Sequence, residues 1–479
     1  MMGDLKQQTV SGVKWTTLAN VNNTLVLMLK LLILARLLEK SDFGIIAIVL
    51  AILGFTEIFS NLGLSIGLIH KQGISQKQYS SVFWINLTLS IVLYVLLAMA
   101  SPLFARYYNE PSLLNIIPLM GLQLIFNALG NMFYTFKSKD LEFKFIAIVQ
   151  IIGIYAGTIL TVVLAALGFG VYSLVYGLLA QTLVQQVAFA LDGFRKYPIA
   201  FHCRLREIAD LLKIGGFQVG TQVFDYISNK IDVFIIGRFF GMEKLGVYNL
   251  AKEFVLKPIQ VINPIVTNVA TPAFAKFQDD LPKLQSNYLK VLKLLTTFNM
   301  PIFLCLAIFA EPIVAVVYGY NMMEVAVFVR ILAFWGLFNS IANPAGILMV
   351  AKGRTDLGFY WTVVRIFIVT AAIVIACQFS IVAVAYAQTA VAIAFLFLYW
   401  RLMVYKMSFI PLKNYILSFL RPLLISAALG VPFYFTTLIS DNIIYQFAMM
   451  AAYGLAVLGA YWIFDKEYLK ELKTLILSR

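Results

Sequence analysis

The chain has 479 residues, of which 61% are hydrophobic and only 13% are charged, and its formal net charge is +14. Because about a quarter of the residues of a soluble domain are charged, this composition excludes an ordinary soluble protein. It predicts an all-α polytopic membrane protein. The three cysteines form no CxxC spacing and the two histidines are far apart, so the sequence predicts no metal site and no disulfide framework.

Apolar runs of about 20 residues, the length at which a helix crosses a bilayer, recur along the whole chain. We predict about fourteen transmembrane helices. Their ranges are 13–36, 43–68, 81–105, 113–136, 145–167, 170–191, 211–237, 245–270, 289–318, 325–350, 358–378, 381–404, 416–438 and 443–464. The connections are short, and none is long enough for a soluble domain.

Lysines and arginines are concentrated in alternate connections. If the N-terminus is cytoplasmic, the inside segments carry 26 of them and the outside segments carry 5. The positive-inside rule therefore predicts cytoplasmic N- and C-termini. The same distribution explains the net charge, and it favours contact with anionic membrane lipids over binding of nucleic acid.

An internal repeat connects spans 1 and 7. Residues 33–44 read ILARLLEKSDFG and residues 235–246 read IIGRFFGMEKLG, which align without a gap at an offset of 202. An even number of helices separates them, so the two halves run in the same direction, as in several transporter folds. We predict two pseudo-symmetric six-helix lobes, 1–200 and 201–405, followed by 406–479, which holds two extra helices and a basic cytoplasmic tail.

A polar stripe runs along span 7. Successive helical residues turn by about 100°, so five polar side chains share an arc of about 80°. They are Gln218, Gln222, Asp225, Asn229 and Asp232. At the repeat offset, span 1 has Thr16, Asn20, Asn23, Leu27 and Lys30 in the corresponding positions.

A charge at the centre of a bilayer costs about 2.5–3.5 kcal/mol on insertion scales, so neither stripe is expected to face lipid. The stripes either hold packed helices together or line a wet cavity, and we favour the cavity. Lys30 stands where the repeat places Asp232. We therefore predict that these two side chains approach each other in one conformation.

Further charged residues interrupt the apolar spans, and each could snorkel or pair locally. These residues are Glu57, Lys252, Glu253, Lys257, Arg330 and Arg365. Glu253 and Lys257 are four residues apart, on one helix face, where they could pair with each other.

The sequence has one GxSxG motif, at 63–67, but a hydrolase needs it at a strand-to-helix turn and here it lies within an apolar span, where small residues favour helix packing. No GxxxxGK[ST] or HExxH occurs, and no large loop offers a pair of catalytic side chains. We predict no enzyme activity and no cofactor. Two lobes with a polar interior predict transport by alternating access.

Three stretches resemble a known family. They are 245–290, MPIFLCLAIFAEPIVAVVYG (300–319) and LMVAKGRTDLGFY (348–360). They are similar to Wzx-type flippases of lipid-linked oligosaccharides, in the superfamily that also holds the multidrug MATE exporters. The teichuronic and colanic acid exporter branch is the most similar. One departure follows Gly319, where the family often has tryptophan and this chain has Tyr320.

The resemblance implies a multi-pass protein of the bacterial cytoplasmic membrane that flips an undecaprenyl-pyrophosphate-linked oligosaccharide for surface polysaccharide export. Polysaccharide assembly proteins are its implied partners. The candidate cations for the pyrophosphate are Lys30, Lys252, Lys257, Arg330 and Arg365. The candidate sugar-binding residues are Asn20, Asn23, Gln218, Gln222 and Asn229. If transport is coupled to Na+ or H+, the candidate carboxylates are Asp225, Asp232, Glu57 and Glu253.

Three other functions stay open at this point, one of which, a flippase of peptidoglycan precursors, differs only in its cargo. An ion-coupled multidrug exporter of the same fold would favour an acidic, aromatic cavity, whereas the stripes here also carry lysine. A membrane-embedded polysaccharide polymerase would need larger outer loops than this chain has.

Overall fold

A computed structural model of the protein describes residues 2–61, 63, 67–69, 71 and 73–464. Within these ranges almost every residue is helical and no strand is present. The all-α prediction is therefore confirmed, whereas the predicted basic tail after residue 464 lies outside the described residues.

Fourteen long helical segments make up most of the described chain, and we number them in chain order. The first seven are α1 (Met2–Leu37), α2 (Lys40–Asn61), α3 (Gln76–Tyr108), α4 (Leu113–Lys139), α5 (Phe143–Ala166), α6 (Val171–Lys196) and α7 (209–240). The other seven are α8 (242–276), α9 (Leu281–Ile308), α10 (Glu324–Ala351), α11 (Thr355–Cys377), α12 (Ile381–Ser408), α13 (Leu412–Thr437) and α14 (Ile443–Phe464).

Twelve helices of the described chain are long and apolar enough to cross a membrane. The segments α7 and α8 form one helical run, Ala209–Lys276, that is broken at Gly241, where φ is 77° and ψ is 177°. A positive φ costs glycine little, so the run turns there without strain. These two segments carry the second polar stripe and the charges of predicted span 8, and with them the chain agrees with the predicted count of about fourteen.

The bounds of some spans differ from the prediction. Span 9, predicted at 289–318, begins at Leu281 and ends at Ile308, and a separate short helix, Ala310–Val317, follows Phe309. The early start has a local cause, because the Asp280 carboxylate accepts a hydrogen bond from the Lys283 amide (3.2 Å) and caps the helix. The apolar run alone could not show this cap.

The described chain divides into two compact units, Met1–Gly246 and Val247–Arg479. In the first unit, α3 packs on α4, α5 on α6 and α1 on α5. In the second unit, α9 packs on α10 and α13, and α13 packs on α14. The first unit thus includes α7, and the division predicted at 200 and 405 from the repeat stays a prediction.

Candidate functional site

Helix α1 exposes two opposite faces. Thr16 and Asn20 are exposed on the polar stripe and Asn23 is half-buried, whereas Leu18, Leu25 and Leu29 are exposed on the side about 180° away. Lipid can cover the leucines, but a face of amides in a membrane helix requires water or a polar solute. This geometry supports the cavity interpretation of the stripe over helix–helix packing alone.

Helix α7 shows the same pattern. Gln222 and Asn229 are exposed and Asp225 is half-buried. The side chain of Gln218 lies outside the described part of the chain. Both stripes therefore present polar groups to open space.

Each stripe ends in a buried charge. Lys30 is 7% exposed and Asp232 is 2% exposed. Asp232 Oδ1 accepts a hydrogen bond from the Val233 amide (3.0 Å). Among the described residues Lys30 has neither a hydrogen-bond nor an ion-pair partner. The predicted approach of Lys30 and Asp232 is therefore not an ion pair in this conformation, and it stays a prediction for another one.

An unpaired ammonium group inside a membrane protein is costly. Such a group is favourable when an anion occupies the space beside it, because the anion replaces the lost hydration. Lys30 thus marks the buried end of the polar face as a place suited to a negatively charged ligand.

Beyond this buried end, α2 contacts the turn between α7 and α8. A Cβ atom on Gly44 would lie 1.8 Å from the Met242 carbonyl oxygen, and a Cβ atom on Gly246 would lie 1.9 Å from the Lys40 carbonyl oxygen. Residues 40 and 242 differ by the repeat offset of 202, as do residues 44 and 246. The contact is therefore reciprocal, as a two-fold relation between the repeats predicts.

Tyr226 continues the packing of α7 on α2. Its hydroxyl group donates towards the carbonyl oxygens of Leu50 (3.2 Å) and Ala51 (3.0 Å). Its ring lies 6.4 Å from the ring of Phe55. The two helices thus contact each other from the Gly44 end to the middle of α2.

A half-buried chain of hydrogen bonds includes Glu57 on α2. Asn127 Nδ2 donates to Glu57 Oε1 (2.8 Å), and Gln186 Nε2 donates to Asn127 Oδ1 (3.2 Å). Glu57 has no ion pair among the described residues. A carboxylate in a membrane helix without a cationic partner favours binding of a proton or a cation.

The remaining candidate charges belong to the second unit. Lys252 is buried, and its Nζ atom lies 5.7 Å from the centre of the Trp335 ring. Lys257 Nζ donates to Gln260 Oε1 (3.2 Å). The pairing of Glu253 with Lys257 stays a prediction, because a lysine that donates to Gln260 keeps two further N–H donors.

Arg330 is only half-buried and forms an ion pair with Glu311, with 2.7 Å between Nη2 and Oε1. Arg365 is half-buried on α11. The roles of both arginines in ligand binding stay predictions. Among the described residues, no three His, Cys, Asp or Glu side chains group in a way that could hold a metal ion.

The chain is similar to several known proteins. Residues 33–327 match the family described as "Polysaccharide biosynthesis protein". The chain belongs to this family. This polysaccharide biosynthesis protein is similar to the lipopolysaccharide biosynthesis protein WzxC of Escherichia coli K12, with 30% identity over 78% of this chain and 76% of that protein.

Two further proteins cover almost the whole chain. The teichuronic acid biosynthesis protein TuaB of Bacillus subtilis 168 is 26% identical over 95% of this chain and 94% of that protein. A solved structure of the lipid II flippase MurJ, in an inward closed conformation, superposes with a TM-score of 0.79 over 96% of this chain and 100% of that chain at 14% identity. This superposition shows that the chain shares the helical membrane fold of the MurJ structure.

The sequence reasoning missed three residues of the site in this family member. Asn127, Gln186 and Tyr226 are uncharged, so they do not stand out as charges within apolar spans. Asn127 and Gln186 do stand out as amides within spans 4 and 6. That signal could have identified them, but not their contact with Glu57.

Proposed function

We propose that the protein flips an undecaprenyl-pyrophosphate-linked oligosaccharide across the bacterial cytoplasmic membrane for export of a surface polysaccharide. The observation that carries this proposal is Lys30, which is buried at the end of the polar stripe of α1 and has no hydrogen-bond or ion-pair partner among the described residues. A pyrophosphate is a strong acceptor for an ammonium group. The names of its relatives, which refer to lipopolysaccharide and teichuronic acid biosynthesis, support a cargo of this class.

The chemistry of the stripes matches the parts of such a cargo. The exposed amides Asn20, Gln222 and Asn229, together with the half-buried Asn23, offer donors and acceptors to sugar hydroxyls. Lys30 offers charge to the pyrophosphate. The lipid tail can stay in the bilayer, since the leucine face of α1 is already compatible with acyl chains. Flipping requires a polar passage for the head group and an apolar passage for the tail.

We propose that the cavity opens towards the cytoplasm in one state of the cycle. The lysine and arginine distribution predicts that the N-terminus of α1 is cytoplasmic, so we expect Lys30 to be nearer the outer side than Asn20 is. The Gly44–Gly246 contact lies beyond Lys30, at the proposed outer end. In alternating access, this contact has to separate when the cavity opens outwards.

Coupling to a proton or sodium gradient is part of the proposal. Glu57, Asp225, Asp232 and Glu253 are the candidate carboxylates. Glu57 is the best supported by geometry, because its hydrogen bond comes from a neutral amide and no cation of the described chain pairs with it.

Complementation tests the proposed function. The gene is expressed in a strain whose surface-polysaccharide flippase is deleted, and surface polysaccharide is measured. We expect restored export with the wild-type chain and much less with Lys30→Gln at equal protein level. If the chain instead confers drug resistance on an efflux-deficient host and restores no export, it is a multidrug exporter.

A further inference from the structure

Residues 197–208, which follow α6, form a segment that we call the strap, irregular except for a 3-10 turn at Leu205–Glu207. Its backbone is held by side chains from the first turns of α3. The Pro198 carbonyl oxygen accepts from Gln76 Nε2 (3.0 Å) and from the Tyr79 hydroxyl group (3.2 Å). The Ala200 carbonyl oxygen accepts from Trp84 Nε1 (3.0 Å). The strap is therefore a fixed part of the first unit.

Further contacts fix both of its ends. The amide of Ala200 donates to Ser80 Oγ (3.0 Å) and the amide of Arg204 donates to Ser81 Oγ (3.2 Å). Ile208 is fully buried in the aromatic cluster of α3, α4 and α6. The conformation of the strap is thus set by the protein, and its outward side chains are presented in a defined place.

The outward side of the strap is apolar and basic. Phe201 is 94% exposed and Leu205 is 64% exposed. Arg204 and Arg206 are exposed beside them. The acidic residue of the strap, Glu207, contacts His202, with 3.0 Å between Oε1 and Nε2, so the outward surface keeps its positive charge.

The level of the strap in the membrane follows from the helices that it joins. It begins one residue after the end of α6 at Lys196 and lies on the first turns of α3, which begins at Gln76. Both helices are membrane spans, so the strap is at a membrane–water boundary. Aromatic side chains favour that boundary, and arginines there reach lipid phosphates.

We propose that the strap is a membrane anchor that binds anionic phospholipid. Phe201 and Leu205 enter the boundary between head groups and acyl chains, and Arg204 and Arg206 contact the lipid phosphates. A rigid backbone makes this binding favourable, because little conformational freedom is lost when the lipid binds. The proposal does not depend on which cargo the protein carries.

Cys203 provides a probe within the strap. It is exposed, whereas Cys377 is buried and Cys305 is partly buried. A spin label is attached to Cys203 in the full chain carrying Cys305→Ala and Cys377→Ala, reconstituted in vesicles of phosphatidylethanolamine and phosphatidylglycerol. Collision of the label with oxygen and with an aqueous nickel complex then reports its depth.

We expect oxygen collisions to dominate in the wild-type strap and nickel collisions to dominate in Phe201→Ser. Phe379→Ser, which changes an exposed phenylalanine outside the strap, should leave the depth unchanged. A label that collides mainly with nickel in the wild-type strap, whatever the lipid, would overturn the proposal and indicate a water-exposed surface for a protein partner.

The arginines are tested by titrating phosphatidylglycerol into the protein in neutral detergent and counting retained lipids by native mass spectrometry. Each of Arg204→Gln and Arg206→Gln should weaken retention about fivefold. Lys413→Gln, an exposed lysine at the start of α13, is the matched control. Equal retention by the strap variants and the control would contradict the proposal, and the melting temperature shows whether each variant is folded.

Discussion

Gly44 and Gly246 face each other across a backbone contact that leaves no room for a side chain on either residue. A Cβ atom on the first would lie 1.8 Å from the Met242 carbonyl oxygen, and one on the second would lie 1.9 Å from the Lys40 carbonyl oxygen. The near-equal distances and the shared offset of 202 residues identify this as one contact made twice. It joins the two repeats at the end of the chain's polar stripes.

The first prediction concerns this contact. Gly44→Ala and Gly246→Ala should each destabilise the closed conformation by about 1–3 kcal/mol, because backbone has to move to admit the methyl group. The losses should be similar, since the contacts are reciprocal. Transport activity and melting temperature in detergent measure the effect. Gly454→Ala, where no atom lies within 4 Å of the added Cβ, is the control, and an alanine tolerated at either contact position would contradict the reciprocal packing.

The second prediction concerns Lys30 and Asp232. If the two charges meet in another conformation of the cycle, Lys30→Asp and Asp232→Lys should each reduce transport, and the double exchange should restore part of it. Electrostatic pairing depends on opposite charge more than on which residue carries it. Export in the complementation strain provides the measurement. A double variant as inactive as the worse single variant would show that the two residues act separately.

The third prediction concerns gradient coupling. Glu57→Gln keeps a hydrogen-bonding group beside Asn127 but cannot ionise, so it should fold normally and lose the response of transport to a proton or sodium gradient. The measurement is the transport rate in vesicles with and without each gradient. Asn127→Ala should weaken the response without abolishing it, since Asn127 only orients the carboxyl group.

The stripe carboxylates need the same comparison. If they are the coupling groups, Asp225→Asn or Asp232→Asn should abolish the gradient response instead. Gradient dependence that persists in both of these variants would remove Asp225 and Asp232 from the coupling role, and its persistence in Glu57→Gln would remove Glu57.

The fourth prediction concerns pH and an ion-pair cluster at the ends of α4 and α6. Lys196 Nζ lies 2.9 Å from Asp140 Oδ2 and 2.8 Å from Glu142 Oε1. Desolvation raises the pKa of both carboxyl groups. Hydrogen bonds that Lys196 and Tyr197 donate to Asp140, and that Lys137 and Lys196 donate to Glu142, lower the pKa by more. The pKa of each is therefore below its ordinary value.

A lowered folded-state pKa means that these carboxylates stabilise the fold above their unfolded pKa, and that this contribution disappears as pH falls below about 4.5. Lys196→Met should reduce the melting temperature near neutral pH by about 1–3 °C, as for a partly exposed pair. It should also flatten the fall in melting temperature at acidic pH. Asp441→Asn, an exposed residue away from the cluster, should leave the acidic slope unchanged, whereas an unchanged slope in Lys196→Met would contradict the assignment.

Much of the helical architecture could be predicted from the sequence, because a membrane helix requires an apolar run of about 20 residues. The two polar stripes followed from helical geometry, and the structure leaves Asn20, Gln222 and Asn229 exposed and Asn23 half-buried. The 33–44 and 235–246 match was weak as a sequence alignment, and the sequence did not predict that Gly44 and Gly246 contact each other.

The pairing of side chains could not be predicted, since it depends on which helices are neighbours. Arg330 could have snorkelled or paired with a neighbour, and the structure shows Glu311 beside it. Lys257 donates to Gln260, which the sequence did not predict. The Glu57–Asn127–Gln186 chain joins three helices, so no local sequence pattern encodes it. For the same reason, the burial of Lys30 and Lys252 could not be predicted from the sequence.

Flipping by the purified protein tests the central claim most directly. Vesicles are prepared with and without the protein, a fluorescent undecaprenyl-pyrophosphate-linked oligosaccharide is placed in one leaflet, and its appearance in the other is followed with a membrane-impermeant quencher. We predict faster transfer with the wild-type chain, a rate lowered roughly 10- to 100-fold by Lys30→Gln, and near-normal transfer with Lys30→Arg. Transfer no faster than in protein-free vesicles, or an equal rate with Lys30→Gln, would contradict the account.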